Sequence, residues 1–200
     1  ISAYEALLKA HPKTVNHVHA HVQLGVLHYE LKNYQAARAP LAQVWALEQH
    51  EYKPNAGYYL AWVDFSEGKI QEAAKTFGEV SDNYPKHEVS ADARLQQGTI
   101  LHKSGQFAEA QKALENFIAT YVGDKRIDQA NYQLGLTLME QKLWQPALVN
   151  FSKVLKQSVW RDEAVYQSAW CEKRAGRKLV AIGYYKELLV AHKNSPLVNP

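Results

Sequence analysis

The sequence predicts an all-α fold: an α-solenoid of about five two-helix units behind a leading helix. Three observations predict it. One phrase returns along the chain, as Asp92-Ala-Arg-Leu-Gln-Gln-Gly98, Asp128-Gln-Ala-Asn-Tyr-Gln-Leu-Gly135 and Asp162-Glu-Ala-Val-Tyr-Gln-Ser-Ala169. Aligned small residues Gly25, Ala61, Gly98, Gly135 and Ala169 follow one another at 36, 37, 37 and 34 residues, a fixed period of the kind that repeat architectures carry. Within each period apolar residues recur three and four apart, the helical and not the strand spacing.

The elements follow in order. Ile1, Tyr4, Leu7 and Leu8 read as the end of an amphipathic helix that stops at Pro12, so residues 1–12 are expected to be the second helix of a preceding repeat and the chain a piece of a longer protein. The first repeat, about 13–50, has Leu24-Gly25, the break Lys32-Asn33-Tyr34, then Ala37 and Leu41; Pro40 falls inside its second helix and should kink it. The second, about 54–85, has Leu60-Ala61, the break Glu67-Gly68-Lys69-Ile70, Ala73 and Phe77, and ends at Pro85. The third, about 88–122, sets Ala91, Leu95, Gly98 and Leu101 on one helix and Phe107, Ala110, Leu114, Phe117 and Ile118 on the next. Between them Gly105 can take the left-handed conformation that ends a helix. The fourth, about 125–157, breaks at Gln141-Lys142-Leu143-Trp144 before Ala147 and Phe151; the fifth, about 160–195, breaks at Ala175-Gly176-Arg177-Lys178 before Ala181 and Tyr185. Breaks this short make consecutive helices antiparallel. The small residues let the paired backbones approach, so a large side chain at Gly98 or Gly135 should overpack the hairpin.

Composition narrows the function classes. The 200 residues are 46% hydrophobic and 22% charged, which suits a folded chain and not a disordered one. The net charge is +3, but no dense run of Lys or Arg marks a phosphate-binding stripe, which argues against nucleic acid. One cysteine, Cys171, excludes an internal disulfide framework, and its helical context after Trp170 reads as a buried inert thiol. No apolar run approaches the length of roughly 18 residues that spans a bilayer, so no direct membrane insertion is expected of this segment. No phosphate loop, nucleophile elbow or HExxH motif appears, so no enzyme activity, catalytic residue or cofactor is expected. Acid pairs such as Glu72 and Glu79 read as solvated charge on outer faces.

The order Leu-Gly, Gly-x-Phe/Tyr, Ala, aromatic, Pro resembles the tetratricopeptide repeat (TPR) over about residues 13–195. The spacing and the Asp-x-Ala-x-Tyr-x-Leu-Gly phrase look most like bacterial envelope proteins of that family, the periplasmic partner of the Tol-Pal system and the outer-membrane-protein assembly lipoprotein. The resemblance implies a right-handed superhelix, a periplasmic or outer-membrane-associated setting, and a concave face lined by the first helix of each hairpin. Carried over by alignment, the groove positions are Asn55, Tyr58, Tyr59, Trp62, Phe65 and Ser66 in repeat two, and Leu95, Gln96, Thr99, His102 and Lys103 in repeat three. Repeat four gives Gln129, Tyr132, Gln133, Leu136 and Met139; repeat five gives Glu163, Tyr166, Gln167, Trp170, Lys173 and Arg174. The implied function is an interaction scaffold that binds a peptide or helix of a protein partner in an aromatic groove, centred on Tyr59, Trp62, Tyr132, Tyr166 and Trp170. Large aromatics dominate such contacts because they bring area at low entropic cost. The family's carboxylate clamp needs Lys where this chain has Val22, Tyr58, Leu95, Tyr132 and Tyr166, so recognition of a chaperone tail is not implied. Terminal repeats without polar caps make a homo-oligomer a further expectation.

Two other readings stand beside this one. A helical-repeat array can read nucleic acid, but this needs a basic groove. The histidines His11, His17, His19, His21 and His28 crowd one end, and His17 and His21 lie four apart, the spacing of a metal-binding pair on a helix. His21 and His28 also fall on positions that pack inside the hairpin, which favours the expectation of no metal.

Overall fold

The computed structural model describes residues 1–10, 16–191, 195 and 197. Among them it contains eleven α-helices and no strand. They are α1 (Ser2–Ala10), α2 (Asn16–Glu30), α3 (Tyr34–Trp45), α4 (Lys53–Ser66), α5 (Ile70–Asn83), α6 (Ser90–Lys103), α7 (Phe107–Thr120), α8 (Ile127–Glu140), α9 (Trp144–Ser152), α10 (Arg161–Arg174) and α11 (Lys178–Ala191). His11, Pro12 and the expected joint at residue 13 lie outside the described residues. The chain divides into two compact units, residues 1–100 and 101–200, and the boundary falls within α6.

In the first unit α1 packs on α2, α2 on α3 and α4, and α3 and α5 on α4. Its core has two clusters. One gathers Val22, Ala37, Leu41, Val44, Leu60 and Val63; the other gathers Ala61, Phe77, Val80, Ala93 and Ile100. Pro40 is buried, and α3 continues through it to Trp45. In the second unit α7 packs on α8, α8 on α9, α9 on α10 and α10 on α11, around fully buried Leu114, Phe117, Phe151, Val154 and Val165. Each such side chain contributes roughly 1.5–3 kcal/mol by leaving water.

Close packing of a side chain from the second helix explains two of the aligned small residues, Gly25 and Gly135. A Cβ added to Gly25 would lie 2.4 Å from Leu41 Cγ, and one added to Gly135 would lie 2.4 Å from Phe151 Cε1. Each pair is 16 residues apart, so the same crossing recurs in two hairpins.

The turns inside the hairpins share one conformation. Lys32, Gly68, Gly105, Lys142 and Gly176 have φ of 59°, 78°, 79°, 61° and 82°. The residue after each sends its N–H back five positions, Asn33 to His28, Lys69 to Asp64, Gln106 to Leu101, Leu143 to Leu138 and Arg177 to Glu172, at 2.8–2.9 Å. This left-handed exit satisfies the last carbonyls of the first helix. Glycine takes that conformation freely; lysine at 32 and 142 does so at a steric cost.

The joints between hairpins share a second device. His50 Nδ1 accepts the Tyr52 N–H at 3.2 Å, His87 Nδ1 the Val89 N–H at 3.4 Å, Asp124 Oδ1 the Arg126 N–H at 2.9 Å and Ser158 Oγ the Trp160 N–H at 3.3 Å. Each joint residue thus holds a backbone donor of the turn leading into the next helix, as Asx- and Ser-turns do. Three chemically different side chains do one job at a period of 37, 37 and 34 residues.

Candidate functional site

The first unit contains a cavity of about 1190 Å³. Helix α2 contributes Val22, Gln23 and Val26, and α4 contributes Pro54, Asn55 and Tyr59. The α3–α4 joint contributes Glu48 to Tyr52, and the end of α5 with the next joint contributes Asn83, Tyr84, His87 and Glu88. First helices of two successive hairpins therefore form the floor, and the two joints after them form the rim.

The joint turns position the rim. His50 and His87 are fixed by the N–H groups they accept, which places Glu51 and Glu88, the residues after them, in equivalent positions. Tyr52 is stacked between His19 and His50, with ring centroids 4.8 and 5.5 Å away. Ser90 Oγ donates to the Tyr84 carbonyl at 2.5 Å and ties down the second joint. Tyr59 leans on Tyr29 at 5.8 Å between centroids. Its hydroxyl pKa is raised, first by burial and then by the negative charge of Glu30 and Glu88. Tyrosine rings and the amides of Gln23, Gln49, Asn55 and Asn83 thus surround a space with both apolar walls and groups able to pair with a peptide backbone.

Of the residues expected to line a groove, Tyr59 and Asn55 face this cavity. Tyr58, one position earlier, meets Tyr59 edge-on at 5.4 Å but is not among the residues lining the cavity. Its hydroxyl donates to Asp92 Oδ2 at 2.5 Å and its ring meets Phe77 edge-on at 5.6 Å. Burial first, and the bond to Asp92 second, push that hydroxyl's pKa far above its ordinary value. Trp62 stands edge-on to Phe77 at 5.3 Å and to Phe65 at 5.8 Å, and both pack against the second core cluster. Gln96 reaches toward Asp92 Oδ2 at 3.5 Å. Leu95 is corrected outright: with 1% of its surface exposed it belongs to the core, because α6 is buried on more than one side, at Ala93 and at Leu95 alike.

The second unit disperses its share. Tyr132 stacks on Trp160 at 5.3 Å, a residue that sequence reasoning did not single out, and burial raises its pKa. Gln133 is half-buried and its carbonyl accepts from Thr137 Oγ1 at 2.8 Å. Tyr166 meets Tyr185 edge-on at 6.1 Å. The Arg174 guanidinium lies 4.4 Å, and the Lys173 ammonium 5.9 Å, from the Trp170 ring centre. Such cation–π pairs occupy a face of the indole.

The other candidates for chemistry are held in structural roles. His17 and His21 meet edge-on at 4.5 Å, and the Nδ1 atoms of His21 and His28 are buried without a hydrogen-bond partner. Burial, then the nearby His17, lowers the His21 pKa. Among the described residues no group of three or more His, Cys, Asp or Glu side chains is placed to hold a metal ion. Cys171 is buried, and burial, then Glu172, pushes its thiol up to about 11, where the thiolate needed for attack is scarce at neutral pH. Among the described residues no helix is long and apolar enough to cross a membrane.

The rim residues His50, Tyr52, Tyr84, His87 and Glu88 escaped sequence reasoning, which concentrated on helices. One signal was available. His50-Glu51 and His87-Glu88 are the same dipeptide one 37-residue period apart, in two successive joints.

Known proteins place this geometry. A family profile described as outer membrane lipoprotein (YfiO) matches residues 50–175, and a tetratricopeptide-repeat profile matches residues 1–56. No curated protein matches the chain in sequence. MamA (41-end) from Desulfovibrio magneticus RS-1 superposes with a TM-score of 0.71 at 17% identity, covering 89% of this chain and 96% of that one. Another MamA crystal structure gives a TM-score of 0.77 at 14% identity, with 94% and 98% covered. YrrB, described as a TPR protein with an unusual peptide-binding site, gives 0.75 at 16% identity, with 98% and 95% covered. At these identities the likeness concerns the fold, which is that of the tetratricopeptide repeat.

Proposed function

The chain belongs to the outer membrane lipoprotein family whose profile spans residues 50–175, and from that premise we propose that it is an interaction scaffold seating an extended or helical segment of a partner protein in the cavity of its first unit. One observation carries the proposal. The cavity brings Tyr59 and Asn55 of α4 together with Val22 and Val26 of α2, so first-helix residues of two hairpins share one recess with room for several side chains. That YrrB is described as having a peptide-binding site supports the same use of the fold. The acidic residues of the rim oppose a phosphate backbone and so oppose the nucleic-acid reading. A role for Tyr132, Tyr166 and Trp170 in the same partner's binding is part of the proposal and rests on family alignment.

Site-specific photocross-linking tests it. A photoreactive amino acid at Asn55 or Tyr59 should yield a discrete protein adduct in cells of the source organism, and one at the exposed Lys112 should not. Equal labelling at all three positions, or labelling at Lys112 alone, would overturn the proposal.

A further inference from the structure

We propose that the cavity of the first unit recognises a basic side chain, Arg or Lys, of the bound segment. This rests on the reading of the cavity as a peptide seat and adds the chemistry of what it selects. The chain as a whole is basic, with 23 Lys and Arg against 20 Asp and Glu. The cavity reverses that sign. Its described lining includes Glu48, Glu51 and Glu88 and not one Lys or Arg. Glu30 adds a fourth carboxylate close enough, with Glu88, to raise the pKa of the Tyr59 hydroxyl. Two lysines adjoin lining residues in sequence: exposed Lys86 is not among the lining residues, and the Lys53 ammonium donates to the Leu47 carbonyl and lies 5.3 Å from the Trp45 ring centre.

The walls suit the same guest. Tyr59 and Tyr84 line the cavity, and aromatic rings attract a cation through their quadrupole; Tyr52 lines it with its ring stacked against His19 and His50. A guanidinium or ammonium entering here meets tyrosine side chains in the walls and carboxylates at the rim. This arrangement disfavours an acidic guest at every one of these points. The two joint histidines each use Nδ1 to accept a backbone N–H of their own joint.

The test is selection of a random-peptide phage library against the intact chain, followed by anisotropy measurements on a labelled copy of the enriched peptide. Enriched sequences should carry Arg or Lys. Replacing those residues with norleucine, which leaves the protein untouched, should weaken binding. The triple variant E48Q/E51Q/E88Q should weaken it by roughly tenfold, the combined effect of three exposed ion pairs, and should melt as the parent does. If peptides bind and Tyr59→Ala releases them, yet neither charge change matters, the basic-residue inference fails and the peptide seat stands. If no peptide is enriched, or Tyr59→Ala leaves binding unchanged, both fail.

Discussion

The Tyr58 hydroxyl donates to Asp92 Oδ2 across 2.5 Å, and so fastens the first helix of one hairpin to the first helix of the next. Tyr59, its neighbour in sequence, faces the cavity. A helix turns about 100° per residue, so adjacent side chains address different surroundings. Tyr58 therefore bridges two helices, and Tyr59 lines the cavity. Tyr58→Phe should destabilise the chain by about 1–2 kcal/mol, since it removes a hydrogen bond to a carboxylate, and should leave peptide affinity unchanged. Tyr59→Phe should have the smaller effect on chemical denaturation. Parallel denaturation and binding curves check both.

Gly135→Val should lower the melting temperature through overpacking, by roughly 1–3 kcal/mol, because the added Cβ alone would already meet Phe151 at 2.4 Å. The double variant Gly135→Ala/Phe151→Leu should recover part of the loss that Gly135→Ala causes. A double-mutant cycle showing no coupling would contradict the assigned crossing.

Lys32 and Lys142 sit at φ 59° and 61°, where other hairpins have glycine. Lys142→Gly relieves the left-handed penalty but adds freedom to the unfolded chain, so the net gain should reach at most about 1 kcal/mol. Gly105→Ala should move stability in the opposite direction. Thermal melts of the pair decide whether the turn, and not the residue's charge, sets the effect.

Asp124 accepts from the backbone and the guanidinium of Arg126. The Arg126 side chain, ahead of the backbone N–H, holds its carboxyl below the ordinary value of 3.8. A carboxyl depressed in the folded state stabilises above its unfolded pKa and loses that contribution as pH falls through the folded one. Asp124→Asn should therefore be less stable than the parent at neutral pH. The gap should close as pH falls below about 4, near the unfolded carboxylate value. A gap independent of pH would show that the charge plays no part. Ser158→Ala, which removes the equivalent acceptor from Trp160, should cost about 0.5–1.5 kcal/mol at any pH.

Much of this architecture is legible in the sequence because its causes are local or periodic. Gly25 and Gly135 announce helix crossings, since only a missing side chain allows the contact made there. Gly68, Gly105 and Gly176 announce the hairpin turns, since glycine takes positive φ at no steric cost. Lys32 and Lys142 take the same conformation with no such signature; there the hydrogen bonds of the flanking helices overrule the residue's own preference. The joint device is likewise hidden, because His, Asp and Ser look unlike one another until their shared acceptor role is seen.

By itself, then, the sequence determined the period, the two-helix unit, the small residues at the crossings and the aromatic richness of the first helices. Tertiary structure alone decided which aromatics are spent on the core and which line the cavity. It placed Tyr58 and Trp62 against Phe77, and Phe65 against Trp62, and joined Tyr59 to a rim built from residues as distant as Gln23 and Glu88. The reason is physical: a repeat is written in short-range spacing, whereas a cavity is the space left when helices and joints far apart in the chain pack against one another.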